Sequence, residues 1–403
     1  MPRFEPFAGL RYHPDIDLDA VTAPPYDIID DEERAALAAR TGYNAVRIDL
    51  PVDGEGEPGE DRYATAARFL GEFIADGVLV NDDEPSFYVY RMGHHDERGR
   101  PRQTTGVIGA LGIEAPGEGG VLPHEHTTPK AKSDRLDLLR ATASNLSPIW
   151  GLSLASGLSA LCETIAGAPP DGRATDADGV HHRLWRVTSA ALVEQLGEVV
   201  SGAPVVIADG HHRYETSRAY RDERRAVDGE GPWDLTMALI VELTEDELAV
   251  RPIHRLLDEL PDGFDPAVAL GAHFNVSDGG PVDVDLTARM ASAGALALAL
   301  PDGRTFLLKP KTGAFPDDLA DLDSSRLHHA LAEALPKATI SFQHGTDKVL
   351  AAVAAGQAEA AVLLRPATVA QITETAHERG RMPPKTTFFF PKPRTGFVFR
   401  QMG

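Results

Sequence analysis

Apolar and polar positions alternate between helix-like and strand-like spacing along the whole chain. Leu70, Phe73 and Ile74 repeat at helical spacing behind Asp61, which predicts a helix running to Ala75, and Asp30 marks the start of an earlier one through Ala39. Residues 87–91 and 105–113 read as neighbouring antiparallel strands. Leu136, Leu139 and Ala143 stripe a helix over 134–143, with Ser133 as its N-cap and Lys130 and Lys132 in the loop before it. A short strand at 185–187 and a helix over 190–200 lead into Pro204-Val205-Val206-Ile207-Ala208, an unbroken, mostly β-branched run of the kind a buried strand carries. The polar turn 209–213 follows, then a strongly charged helix over 216–225 and a returning strand at 236–243.

Beyond this strand the pattern changes partners. A boundary within 245–247 separates a first lobe, 1–245, from a second, 246–403. The second lobe opens with a strand at 248–250. It continues with a hairpin, 295–300 and 305–308, around Pro301-Asp302-Gly303-Arg304, then helices at 325–335 and 347–355, a strand at 360–364 and a helix from 369 ending at Gly380. Helices and strands interleave in both lobes, so the expected class is α/β with mixed sheets, the last segment folding back on the first lobe.

Charge narrows what such a chain binds. With 61 acidic residues against 39 basic ones the formal charge is −22, a field that repels nucleic-acid backbones and anionic membranes. It also opposes a free polyanion, so an anionic ligand requires a locally basic pocket, for which Arg11, Arg135, Arg213, Arg255 and Lys385 are available, or Mg²⁺ delivered with it. No apolar run approaches the length of a membrane span, and the first residues carry charge and proline where a leader would be apolar, so a cytoplasmic location is expected. The single cysteine, Cys162, excludes an intrachain disulfide and reads as an inert core residue. Oligomeric state leaves no mark in the sequence.

The turn Asp209-Gly210-His211-His212-Arg213 is where these constraints meet. Unpaired N–H groups at a helix start, the positive end of the macrodipole, a glycine that admits close approach and an arginine fork together make an anion site. Double histidines by themselves mean little: the chain has four such pairs, and Asp178-Gly179-Val180-His181-His182-Arg183 nearly copies the motif. That copy follows a polar loop in place of an apolar strand.

These residues resemble the Asp-Gly-x-His-Arg turn of the ParB/sulfiredoxin-like fold. The whole chain resembles domain-of-unknown-function family 1015, through Phe7-Ala8-Gly9-Leu10-Arg11-Tyr12, Ala23-Pro24-Pro25-Tyr26-Asp27-Ile28-Ile29, Asn44-Ala45-Val46-Arg47-Ile48-Asp49-Leu50-Pro51, His124-Glu125-His126-Thr127, Lys132-Ser133-Asp134-Arg135-Leu136, Pro252-Ile253-His254-Arg255 and Met382-Pro383-Pro384-Lys385 onward to Lys392. The resemblance implies a ParB/sulfiredoxin-like phosphoryl-transfer core and a kinase that uses inorganic pyrophosphate to phosphorylate free L-serine. ATP and ADP remain open as donors, although no Gly-x-x-x-x-Gly-Lys-Ser/Thr loop occurs. A phosphatase using the same cradle and a ParB-like nucleotide-binding regulatory protein are the alternatives.

Phosphoryl transfer needs a cradle, positive charge, a base and usually Mg²⁺. Gly210, His211, His212 and Arg213 form the expected cradle. Asp209 is placed either on Mg²⁺ or as the cap of the following helix. The resemblance points to Asp27, an acid in an early segment, as the base, with Glu125 between His124 and His126 as its rival. His126 stands where the family pattern has a basic residue. Tyr26, His124, Lys132, Arg135, His254, Arg255 and Lys385 are the further substrate and phosphate contacts. His124 and His126 are two apart, not the four of a helical zinc pair, and one cysteine excludes a multi-cysteine site, so no zinc is expected.

Overall fold

The computed structural model describes residues 1–96, 99–115, 118–123, 132–283, 285–377, 380 and 382–403. Two compact units emerge, one comprising Met1–Pro123, residues 132–248 and Pro391–Gly403, the other Ala249–Phe390. The division thus falls at 248/249, three residues beyond the expected 245/246, and Pro391–Gly403 belongs to the first unit. No helix among the described residues is long and apolar enough to cross a membrane.

The first unit is built on a nine-stranded mixed sheet. Its strands are β1 (Phe4–Glu5), β2 (Phe87–His95), β3 (Pro101–Gly112), β4 (Val121–Pro123), β5 (Ile149–Ser153), β6 (Gly172–Thr175), β7 (His181–Val187), β8 (Val205–Asp209) and β9 (Leu235–Glu242). They lie in the order β4-β8-β5-β9-β3-β2-β7-β6, with β1 paired to β3. The β8–β4 and β9–β5 pairs are parallel, and the expected β2–β3 pair is antiparallel. β9 is buried along its whole length, which explains why its sequence is nearly continuous in apolar residues instead of alternating.

The longer helices of this unit include α1 (Asp31–Arg40), α2 (Arg62–Ala75), α3 (Lys132–Thr142), α4 (Ala190–Ser201) and α5 (His211–Asp228), and Leu196 and Val200 of α4 and Tyr214 of α5 join the sheet's apolar core. Asp30 and Asp61 cap α1 and α2 as the sequence predicts, each accepting N–H bonds from the first turn. α3 opens at Lys132, so Lys132 and Ser133 belong to the helix and not to a loop and a cap before it. The returning C-terminal segment is stitched in by pairing of Arg400 with Asn145 and by bridges from Phe399 to Leu10 and Thr395 to Ala23. Fully buried Phe399 anchors it.

The second unit is a seven-stranded sheet, antiparallel in every pair. Its strands are β10 (Ala249–Asp258), β11 (Phe274–Asp278), β12 (Leu296–Ala299), β13 (Thr305–Pro310), β14 (Thr339–His344), β15 (Ala360–Leu363) and β16 (Thr387–Phe390), in the order β11-β13-β12-β15-β10-β14 with β16 on β10. The expected hairpin is β12–β13. β10 runs far past the short strand expected at 248–250 and takes His254 and Arg255 into its interior. Both units bear out the mixed α/β class.

Candidate functional site

β8 passes into α5 through one residue. Gly210 sits in the left-handed region at φ +81°, and His211, His212 and Arg213 are already helical, so the expected five-residue turn collapses to a single glycine. Gly210 is also the N-cap and offers no side chain, and the first helical bond is Tyr214 N to Gly210 O. Asp209 therefore does not cap the helix, one of the two roles expected of it. A register shift in the β8–β5 pairing between Ile207 and Asp209 bends the strand end and re-aims Asp209.

Asp209 is held by two cations. Lys392 Nζ lies 2.8 Å from one carboxylate oxygen and Arg213 Nη2 lies 3.0 Å from the other. Burial alone would raise the Asp209 carboxyl, but Lys392 first and Arg213 next hold it well below the usual carboxylate range. Arg213 also donates from Nη1 to the Pro148 carbonyl, which leaves Nε buried without a partner. A Cβ on residue 210 would come within 3.0 Å of that Nε, so the glycine makes room for the guanidinium.

Beside Arg213 opens a small cavity of about 50 Å³, lined by Tyr26, Asp49, Arg135, Arg213, Thr216 and a set of small polar residues that includes Ser144, Asn145 and Ser147. Tyr26 carries the Arg135 guanidinium 4.0 Å from its ring centroid and that of Arg213 at 5.9 Å. Burial pushes the Tyr26 hydroxyl up to about 12, against the pull of Arg213. Arg135 donates to the Asp49 carbonyl at 2.6 Å and to Asp134 at 3.0 Å. The Asp49 carboxyl is raised by burial, which outweighs nearby Arg135 and the hydroxyl of Thr395 at 3.0 Å. Thr216 Oγ1, like Arg213 Nε, is buried with no partner. Two arginines and two unsatisfied donors thus meet at one cavity, with Arg213 paired to Asp209 at 3.0 Å and Arg135 to Asp134 at 2.9 Å.

The family described as "Protein of unknown function (DUF1015)" matches residues 4–325. The chain belongs to this family. No curated protein matches it. Among solved structures, the chain is similar to a conserved hypothetical protein from Pyrococcus furiosus, at 11% identity and TM-score 0.37 over 68% of this chain and 88% of that one. A free serine kinase in complex with AMP gives 11% identity and TM-score 0.38 over 70% and 88%. SbnI with a C-terminal truncation, from Staphylococcus aureus, gives 10% identity and TM-score 0.39 over 72% and 86%. All three overlays are loose.

In this DUF1015 member the residues expected at the site separate into groups. Tyr26, Arg135 and Arg213 line one cavity, and Asp209 braces Arg213 from behind. His211 and His212 occupy the first turn of α5 but do not line the cavity. Asp27 is exposed in the short 3-10 turn Tyr26–Ile28, within electrostatic reach of Arg213. Lys132 starts α3, the helix that brings Arg135, Leu138 and Leu139 to the cavity wall. His124, Glu125 and His126 lie outside the described residues. Arg11 is committed to Asp82, with Nη2 at 2.6 Å. Cys162 is fully buried, and burial pushes its thiol up to about 12.

His254 and Arg255, expected as substrate contacts, lie on β10 in the second unit. His254 Nδ1 accepts the Leu364 N–H at 3.1 Å, Nε2 meets the Thr346 hydroxyl at 3.3 Å, and burial lowers its pKa to about 4. Arg255 donates to the Ile253 carbonyl at 2.7 Å and stacks 4.7 Å from the Phe342 ring. Lys385 is an exposed residue in a left-handed turn at φ +59°.

Three residues of this family member escaped the sequence reading: Asp49, Thr395 and Lys392. Asp49 lies in the motif Asn44 to Pro51 and Lys392 between two prolines, which are the signals that mark them. The residues do not fit Mg²⁺ at Asp209, because each carboxylate oxygen faces a cation within 3.0 Å and a divalent ion there would have to displace Lys392 or Arg213.

Proposed function

We propose that this chain is a phosphotransferase that makes O-phospho-L-serine from free L-serine, with inorganic pyrophosphate as donor. The observation that carries the proposal is the buried, partnerless Nε of Arg213 at a helix start without a side-chain cap, on a cavity that also presents Arg135. The resemblance of its motifs to pyrophosphate-using serine kinases supplies donor and acceptor.

In this reading the donor phosphate lies against the first N–H groups of α5 and the Arg213 fork, and Arg213 and Arg135 neutralise charge that grows on the transferred group. Asp209 and Lys392 hold the fork in place. The acceptor enters the polar side of the cavity near Ser144, Asn145 and Thr216. Asp27 is the base that the family resemblance implies. Asp49 is a second reading, favoured by its place in the cavity wall and by the burial that raises its carboxyl. Asp27→Asn and Asp49→Asn variants separate them, because loss of the true base removes the acid limb of the kcat/KM profile. Mg²⁺ enters only as the counterion that accompanies pyrophosphate.

A phosphorus NMR time course tests the whole reading, with purified protein, Mg²⁺ and L-serine, and pyrophosphate, ATP or ADP in separate tubes. O-phosphoserine from pyrophosphate is the expected result. Orthophosphate alone would replace the kinase with a phosphatase on the same cradle. Nucleotide binding without turnover would indicate a ParB-like regulatory protein.

A further inference from the structure

The double histidine at His328-His329 plays no part in the site above. It lies on α6 (Asp323–Ala334) of the second unit, where His328 is exposed and His329 turns inward, one helical turn from Glu333. Facing them is His273, in the segment that leads into β11. Its backbone is fixed at both ends, N–H to Leu270 O at 3.1 Å and carbonyl to Lys311 N at 2.9 Å.

The three side chains converge. His273 Nε2 is 3.1 Å from one Glu333 oxygen, His329 Nε2 is 3.4 Å from the other, and the donor atoms all lie within 4.8 Å of one another. Metal–ligand bonds of about 2.0–2.1 Å at tetrahedral angles put neighbouring donors roughly 3.3 Å apart. Two of the contacts already have that spacing. The His273 side chain is only 8% exposed, and the Phe315 ring packs 5.4 Å from it and 6.0 Å from His329, giving the cluster an apolar wall. Nδ1 of His273 is buried without a hydrogen-bond partner, so the proton that Nε2 shares with Glu333 in the metal-free pair can move to Nδ1 or be released when Nε2 takes up an ion.

We propose that His273, His329 and Glu333 bind a divalent transition-metal ion of the zinc type, with solvent as fourth ligand. Two imidazoles and one carboxylate suit such an ion and not Mg²⁺ or Ca²⁺, which take oxygen ligands. An ion there ties α6 to the approach to β11 and cross-links two segments that are distant in sequence. Glu333, 60% exposed, gains little from an ordinary ion pair with a histidine, which is the competing account of the cluster.

The test is a Co²⁺ titration of the full chain after chelation and desalting, followed by visible absorption and by Zn²⁺ displacement. Wild type takes up one equivalent in this cluster, which Zn²⁺ displaces and excess Mg²⁺ does not. Glu333→Gln and His329→Ala, both at partly exposed positions and checked by circular dichroism, weaken it by more than about 100-fold, beyond the ~10–100-fold that outer-shell losses cost. His328→Ala binds as wild type does. If wild type binds further equivalents elsewhere, these variants lose one. Absence of stoichiometric uptake by wild type, or variants that bind unchanged, would overturn the proposal.

Discussion

Asp209-Gly210-His211-His212-Arg213 and Asp178-Gly179-Val180-His181-His182-Arg183 are nearly the same peptide, yet the fold gives them opposite jobs. Both glycines take positive φ, +81° at Gly210 and +76° at Gly179. In the copy, Gly179 turns the hairpin between β6 and β7, and strand alternation sends His181 outward and His182 inward. His182 is fully buried between Asp176 at 3.1 Å and the Tyr90 hydroxyl at 2.8 Å. It is a satisfied core histidine. In the first peptide the residues after glycine enter a helix whose N-cap offers no side chain, and the arginine folds back beside the glycine. What surrounds the motif decides its local structure: an apolar strand and a polar helix make the strand-to-helix junction on which the proposed anion site rests, and a polar loop and a strand make a hairpin.

The largest break in this comparison comes from the arginines. Arg213→Ala lowers the rate of phosphoryl transfer by about 10²–10³-fold, as expected for loss of a charge-stabilising donor, whereas Arg183→Ala, on the exposed edge of the copy, leaves it unchanged in the same phosphorus NMR assay. Next is the brace behind the fork. Lys392→Met leaves Asp209 with one cation and costs about 3 kcal/mol in urea denaturation, near the lower end for breaking a buried ion pair.

Acid unfolding sharpens the same point. The folded Asp209 carboxyl is held below its unfolded value, so its contribution is present above the ordinary carboxylate pKa of about 4 and fades as pH falls below it. Asp209→Asn should flatten that part of the stability curve. His182 acts at milder pH: burial lowers its folded pKa, the unfolded chain takes the proton first, and stability falls as pH drops below about 6.5. His182→Gln should remove its share of that slope, leaving the share of buried His254, and leave activity intact. The smallest effect separates the glycines. Gly179→Ala and Gly210→Ala both cost roughly 1–2 kcal/mol in the left-handed region. Only Gly210→Ala meets Arg213, and it alone should weaken pyrophosphate binding in calorimetry, since nothing lies within 4 Å of a Cβ at 179.

Local pattern made much of this legible. Acidic caps at Asp30 and Asp61, the β2–β3 pair, the β12–β13 hairpin and the apolar run before Asp209 all follow from spacing along the chain. The turn itself was read too long, because residues 211–215 are polar and carry no apolar stripe to announce a helix start. Lys392 is 183 positions from Asp209 in the chain, a pairing that exists only because Phe399 and Arg400 carry the tail back into the first unit. His254 and Arg255 read as a polar pair, and only the length of β10 shows that they lie within a strand of the second unit's sheet. Long-range pairing and burial, not residue type, decided those positions.

Pyrophosphate binding by isothermal calorimetry to wild type, Arg213→Ala and Arg183→Ala tests the central claim most directly. Saturable binding at one site per chain in wild type and Arg183→Ala, lost in Arg213→Ala, is the predicted result. Equal binding by wild type and Arg213→Ala, or no binding by wild type, would contradict the assignment of the Asp209–Arg213 turn as the phosphate site.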